Sequence, residues 1–329
     1  MDTKHYLSLL DELDDLEQTE QIWNKKKRRN KYPARHPQKP DAQTRALIRT
    51  QDDTGQNFKF TYQAARFEES WLLESLGAFY EHRWISDVLR RVKGGKEASV
   101  YLCVAGAEVS ARLLAAKVYR PRQLRNLKND ALYRVGRRDL DQDGNRIVDD
   151  GMLKALHHRT GYGEQLRHQS WIAHEFQALK TLQAAGADVP EPYAAEHNAI
   201  LMDYVGDRSA SAPTLNTITM EPAEARLLFD RVIDNVNLML QQHYVHGDLS
   251  AYNILYWQGN IRLIDFPQIV SPADNPAAWE IFRRDVARVC QYFGSQGVPS
   301  DPRTLAADLW RSHGYKIADH VPRNGPPLT

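Results

Sequence analysis

The sequence is poor in the features that would place it outside a reducing compartment. Only two cysteines occur in 329 residues, Cys103 and Cys290, each inside an apolar pattern. That excludes a disulfide framework or a cysteine metal centre and leaves two small buried hydrophobes. No apolar run approaches the roughly 20 residues needed to span a bilayer, and the acidic start of the chain is unlike a signal peptide. A cytoplasmic protein is expected. Net charge is nearly absent as well: 43 Lys and Arg against 42 Asp and Glu leave +1, so no global field draws the chain to nucleic acid. There is no internal repeat. What is present, a hydrophobic fraction of 42% with 26% charged residues, is the balance of a globular chain that can bury a core without staples.

Along the chain, residues 1–60 read as an appendage. Tyr6, Leu9, Leu10, Leu13, Leu16 and Trp23 fall at helical spacing between Asp and Glu residues, giving an acidic amphipathic helix. A basic run from Lys25 to Lys31 follows, then Pro33, Pro37 and Pro40 impose a mobile, extended linker. The basic run is the one candidate for weak RNA contact, although it lacks interleaved aromatics and such runs are commonly solvated. Periodicity predicts a helix over about 61–82, packing on a core that begins near 86. Strands are expected at about 86–92, 98–105 and 112–119, a helix at 164–185, and strands at 192–195 and 199–205. A helix at 221–243, a hairpin at 254–264 and a helix at 277–294 complete the pattern. The expected class is α+β, with an antiparallel sheet and one helix over 86–205 joined to a compact, mainly helical lobe over 206–329.

The densest chemistry is His246-Gly247-Asp248-Leu249-Ser250-Ala251-Tyr252-Asn253, followed after the hairpin by Ile264-Asp265-Phe266. Phosphoryl transfer asks a protein for two things, a cation clamped on phosphate oxygens and an acceptor aligned for attack. A loop aspartate, Asp248, can take the acceptor's proton. An asparagine five residues on, Asn253, and an aspartate after a hairpin, Asp265, can ligate the metal. Upstream, Gly94 and Gly95 sit between strands, where bare backbone can approach phosphates, with Lys96 and Ser99 to add a charge and a hydroxyl. A Gly-Gly turn needs no ligand, however, and the full glycine-rich fingerprint is missing. Lys117 lies inside the apolar strand Leu114–Tyr119, where a cation demands a partner; Glu175, on the 164–185 helix, is the natural one.

Together, GGKEASVY at 94–101, AAKVYR at 115–120, HGDLSAYN at 246–253 and IDFPQ at 264–268 resemble the RIO family of atypical serine protein kinases, over about residues 86–300. The resemblance implies a two-lobed protein-kinase-like fold and an Mg²⁺-ATP or Mn²⁺-ATP site. Gly94, Gly95, Lys96 and Ser99 would line the phosphate loop, Lys117 and Glu175 would pair, and Met202 to Val205, with Tyr204 between them, would face the adenine. Asp248, Asn253 and Asp265 fall on its catalytic and metal positions. It further implies serine phosphorylation or ATP hydrolysis, with Asp265 a potential phosphoryl acceptor, and an unknown protein or ribonucleoprotein partner. The pattern departs from ordinary protein kinases: Pro267 replaces the glycine after Phe266, no Ala-Pro-Glu occurs downstream, and 64 residues follow Asp265, little room for a peptide platform.

Between Lys117 and Glu175 an insertion, about 120–162, is expected to be flexible. Its Asp139, Asp141, Asp143, Gly144, Asn145, Asp149 and Asp150 resemble a calcium loop, but Asp150 stands where glutamate is usual and Arg146 where an apolar residue is usual, so a solvated mobile loop is the preferred reading. Two further functions use the same clamp: an ATP-gated assembly factor working mainly as an ATPase switch, and a small-molecule phosphotransferase of the aminoglycoside type.

Overall fold

The computed structural model describes residues 58, 60–95, 97–120, 130–158 and 160–317. Of the acidic helix, basic run and linker expected over 1–60, all but Phe58 and Phe60 lie outside the described residues, as does Lys96. Helix α1 (Arg66–Glu81) precedes a five-stranded sheet of β1 (Ile85–Gly94), β2 (Ala98–Ala105), β3 (Leu113–Tyr119), β4 (Pro192–Glu196) and β5 (Ala199–Asp203). Its order is β1-β2-β3-β5-β4, and every neighbouring pair is antiparallel.

Period-two alternation gives this sheet two different apolar faces. On one, Tyr101, Cys103, Leu114, Ala116, Val118 and Leu201 pack against Leu72, Leu76 and Phe79 of α1. Those three helix side chains are fully buried, each contributing about 1.5–3 kcal/mol. The other face carries Ala115, Tyr119, Ile200 and Met202 into a larger core shared with helix α4 (Gly161–Ala184) and the C-terminal half. Helix α1 begins at Arg66 and not near 61 because the preceding residues are bonded to the sheet. Thr61 donates through its amide and hydroxyl to the Asp87 carboxylate at 2.7 and 2.6 Å, and the Tyr62 amide donates to the Val88 carbonyl at 2.8 Å.

The C-terminal half holds α5 (Pro222–Gln241), the hairpin β6 (Ile254–Trp257) and β7 (Asn260–Leu263), α6 (Ala278–Ser295) and α7 (Pro302–Ser312). The last helix was not expected. It is started by Asp301, whose side chain accepts from the Arg303 amide at 3.1 Å, with Pro302 in the first turn. It is held by Trp310, whose ring lies 5.4 Å from Trp279 and 5.2 Å from Phe282. No helix among the described residues is long and apolar enough to cross a membrane.

In its described part, 130–158, the insertion expected to be a flexible loop holds regular structure. It forms α2 (Asp130–Arg134), an antiparallel bridge between Leu140 and Arg146, and α3 (Asp150–His157). The carboxylates that suggested a calcium loop serve the backbone: Asp149 caps α3 through the Met152 amide at 2.8 Å, and Asp141 accepts from the Asn145 amide at 2.8 Å. Ile147 and Leu156 bury against Leu166 of α4, and Asn275 donates to the Leu132 carbonyl at 2.8 Å. Few apolar residues anchor a mostly polar segment, which is why no period was visible.

Docking of α3 on α4 depends on Gly163, where an added Cβ would sit 1.9 Å from the Ala155 carbonyl oxygen. Gly163→Ala should therefore cost about 1–3 kcal/mol by overpacking. Amide hydrogen exchange should show protection lost over residues 150–157 while strands β2 and β3 keep theirs.

Candidate active site

A cleft of about 790 Å³ opens between the sheet and the C-terminal hairpin. Val92, Ala115, Leu179, Met202, Leu255 and Ile264 make its apolar walls, and Lys117, Glu175, Asp248 and Asp265 make a charged end. The size and the mix of an apolar slot with a few convergent charges suit a small organic ligand bearing anionic groups. Met202, Tyr204 and Val205, at the end of β5 and just beyond, line the cleft. Tyr204 is fixed there by Arg90, which donates to its hydroxyl at 2.9 Å.

Strand alternation puts Lys117 in the cleft. It opposes Val100 across the β2–β3 ladder, and both residues line the cavity. Its Nζ donates to Glu175 Oε1 and to Asp265 Oδ1, each at 2.6 Å. Glu175 is almost wholly buried, and its other oxygen accepts a bond from the Tyr119 hydroxyl. Burial opposes the Lys117 charge, yet the Asp265 and Glu175 carboxylates outweigh it and hold the ammonium well above its usual pKa. Burial likewise works to raise Asp265, and Lys117 reverses it, keeping that carboxyl below its usual range.

The 246–253 loop owes its shape to Gly247. Its φ is +84°, and a Cβ there would lie 2.2 Å from the Gln268 carbonyl oxygen. The Gly247 amide donates to buried Asp285 at 2.8 Å, and its carbonyl accepts from Arg284, both on α6. Asp248 follows, its Oδ1 accepting from Arg288 at 3.0 Å and its Oδ2 from Asn253 Nδ2 at 3.1 Å. Desolvation raises its pKa to about 7, with Arg288 pulling in the opposite sense and Asp285 adding to the rise. Asn253 also donates to the Asp248 carbonyl at 2.8 Å, and its own carbonyl accepts the Ile264 amide at 2.9 Å. That last bond ties the Asp248 loop to Asp265, which itself adopts a left-handed φ of 72°, at a cost of about 1–2 kcal/mol for a residue with a side chain.

The cleft thus gathers Gly95, Lys117, Glu175, Asp248 and Asp265, with Asn253 bonded beneath Asp248. It does not gather all of the expected phosphate loop. Gly94 is outside the lining, Lys96 lies outside the described residues, and Ser99 is turned away. The ladder explains Ser99: it opposes Val118, a residue of the core beneath α1, so the hydroxyl is buried on the sheet's other face. Arg284, Asp285, Arg288 and Tyr119 escaped sequence reasoning as site residues. The spacing of Arg284 and Arg288 four apart, on one face of a helix carrying buried Asp285 between them, was the available signal.

Among the described residues no three His, Cys, Asp or Glu side chains form a metal cage. The Asp265 carboxylate and the Asn253 amide oxygen are hard donors, and such a pair suits a divalent cation that takes its remaining ligands from phosphate and water.

Because Glu175 has about 1% of its side chain exposed, removing its cation should be costly. Lys117→Met is expected to lose about 3–5 kcal/mol of stability in urea unfolding. Adding Glu175→Gln should recover part of that loss; equal losses in the two variants would mean that the stranded carboxylate is not the cause.

The RIO domain pattern matches residues 117–305 of the chain. The RIO-type serine/threonine-protein kinase Rio1 of Thermoplasma acidophilum is 33% identical over 132 residues, covering 40% of this chain and 68% of that protein. The serine/threonine-protein kinase RIO1 of Chaetomium thermophilum is 33% identical over 265 residues, covering 74% of this chain but 48% of the relative, so the chain spans about half of that protein. Among solved structures, the Rio2 kinase of Chaetomium thermophilum in its ADP/Mg²⁺-phosphoaspartate complex superposes with a TM-score of 0.50 at 19% identity, over 78% of this chain and 76% of that one. That likeness identifies the two-lobed kinase-like fold. The matched segment opens at the cleft lysine and runs through the Asp248 loop, Asp265 and helix α6, and on this ground the chain belongs to the RIO family.

Proposed function

We propose that the chain is an ATP-dependent phosphotransferase of the RIO type, taking Mg²⁺-ATP in the 790 Å³ cleft. The observation that carries the reading is Lys117, whose Nζ stands 2.6 Å from both Glu175 and Asp265 in the cleft that Asp248 also lines. In this reading the apolar slot with Met202, Tyr204 and Val205 takes the adenine. Lys117, held by Glu175, neutralises the phosphates nearest the base, while Asp265 and Asn253 hold the cation against the phosphate oxygens. Gly95 supplies bare backbone near the phosphates. Asp248 accepts the proton of the attacking hydroxyl, a role for which a pKa of about 7 is well placed. Arg288 and Asn253, one on each of its oxygens, orient the carboxylate.

A second reading, an ATPase passing through phosphorylated Asp265, is favoured by one observation: the Asp265 side chain keeps 44% exposure within the cleft. There the aspartate oxygen would attack the γ-phosphorus, ADP would leave, and water would release the phosphate from the acyl phosphate. The phosphoaspartate of the Rio2 complex is a precedent in the fold. Incubation with γ-labelled ATP and Mg²⁺ separates the readings. Acid-stable label on a serine supports kinase action, and label discharged by hydroxylamine supports the aspartyl intermediate. A chain that neither takes up label nor releases phosphate is not a phosphotransferase.

Two outcomes are expected for the base. Asp248→Ala should lower turnover at least about a hundredfold with ATP affinity nearly unchanged, checked by single-turnover kinetics beside equilibrium nucleotide binding. Since Asp248 must be ionised to accept a proton, turnover should fall about tenfold per unit as pH drops below about 7. Arg288→Gln removes a charge that lowers this pKa and should move the midpoint of the pH–rate profile upward. A midpoint that stays put would assign the ionisation to another group.

A further inference from the structure

Among the described residues that line the nucleotide cleft, two are cations, Lys117 and Lys93. Lys117 is already committed: its ammonium is shared by Glu175 and Asp265, each at 2.6 Å. Lys93, next to the end of β1 and just before Gly94 and Gly95, is exposed and forms no ion pair with a described residue. Its place in the cleft is not what simple strand geometry would give. Alternation along β1 would turn Lys93 to the same face as Arg91, two residues earlier. Arg91 opposes Tyr101 and lies 3.4 Å from Glu68 of α1, on the side of the sheet away from the cleft.

A bulge reverses that orientation. The β1–β2 register slips between Arg91 and Lys93, so that two steps of β1 span one step of β2 and Lys93 comes to oppose Val100. Val92 and Lys93, neighbours in sequence, consequently both line the cleft; re-aiming a side chain beside a site is what a bulge does. Val100 in turn opposes Lys117 on β3. Lys93, Val100 and Lys117 therefore share one rung across three strands, with the two lysine backbones roughly 10 Å apart at the usual strand spacing. A chain of phosphates lying along that rung meets a committed ammonium at one end and an uncommitted one at the other. Burial works to raise the Asp265 carboxyl, and Lys117 followed by Lys93 are among the charges that reverse it, so the Lys93 ammonium acts on the charged end of the cleft. A triphosphate carries more negative charge than one divalent cation cancels, and Lys117, shared by two carboxylates, cannot cancel all of the remainder.

We propose that Lys93 is a substrate-binding residue of the cleft, its ammonium holding the terminal phosphate of the bound nucleoside triphosphate while Lys117 holds the inner ones. The inference rests on the phosphotransferase reading and adds to it a second lysine, together with the bulge at Val92 that places it. Once the terminal phosphate has been transferred, Lys93 loses its partner. The residue therefore distinguishes the triphosphate substrate from the diphosphate product.

The test is calorimetric titration of the full chain, in Mg²⁺, with adenosine 5′-(β,γ-imido)triphosphate, which is not turned over, and separately with ADP. Lys93→Met, an exposed substitution near a strand end that does not threaten folding, should weaken the triphosphate at least about tenfold, the worth of a hydrogen bond to a charged group. Its affinity for ADP should stay within about twofold of the unaltered chain, since ADP lacks the phosphate that Lys93 holds. Lys93→Arg keeps the charge and should restore most of the triphosphate affinity. Arg91→Gln removes a like charge two positions away on the other face of the sheet and should change neither affinity. Equal changes for the two nucleotides in Lys93→Met, including no change in either, would overturn the proposal. So would an Arg91→Gln effect as large as that of Lys93→Met, which would mean a diffuse field and not a contact. If the unaltered chain binds neither nucleotide, the phosphotransferase reading falls and this inference with it; if it binds both and Lys93→Met leaves their ratio fixed, only this inference falls.

Discussion

Everything in the cleft depends on one buried cation shared by two carboxylates. Lys117 enters from a central strand, Glu175 from helix α4 and Asp265 from the segment after the hairpin, and the ammonium lies 2.6 Å from each. An isolated lysine in that strand would be expensive to desolvate, as would an isolated glutamate with almost no exposure. Each is tolerable only because the others are present. The ion cluster therefore fixes the position of the sheet relative to α4 and of Asp265 relative to both, which makes it a constraint on the fold as much as a property of the site.

The second constraint is the tie from the Asp248 loop to α6. Gly247 is held on both of its peptide groups, by Asp285 on the amide and Arg284 on the carbonyl, and Arg288 reaches the Asp248 carboxylate. A helix late in the chain thus sets both the geometry of the loop and its acidity. Desolvation lifts Asp248 while the Arg288 and Arg284 guanidiniums limit the rise, so its acidity is set by the opposition of burial and charge. The two segments meet directly through the Asn253 carbonyl and the Ile264 amide.

The described part of the insertion binds the same elements from outside. Arg137 holds carbonyls just past Asp265, and Asn275 holds α2 at the Leu132 carbonyl. This segment is ordered by hydrogen bonds to main-chain groups, by Leu132 and Tyr133 in the main core, and by Ile147 and Leu156 against Leu166 of α4.

The sequence by itself determined the strands, the long helices and the family, and singled out Lys117, Glu175, Asp248 and Asp265, which line the cleft, with Asn253 bonded to Asp248. The physical reason is locality: strand alternation, helical period and the spacing of a loop aspartate from its asparagine are properties of neighbouring residues. Tertiary structure alone decided the rest. Lys117 and Asp265 are 148 positions apart, and no local pattern says that one ammonium serves two acids. Ser99 is lost to the phosphate loop because the β2–β3 register pairs it with Val118, and register is fixed by which face each core covers. Arg288 becomes a partner of Asp248, and Asp248 acquires a pKa of about 7, only once helix and loop are packed, since burial and charge proximity are sums over residues distant in sequence.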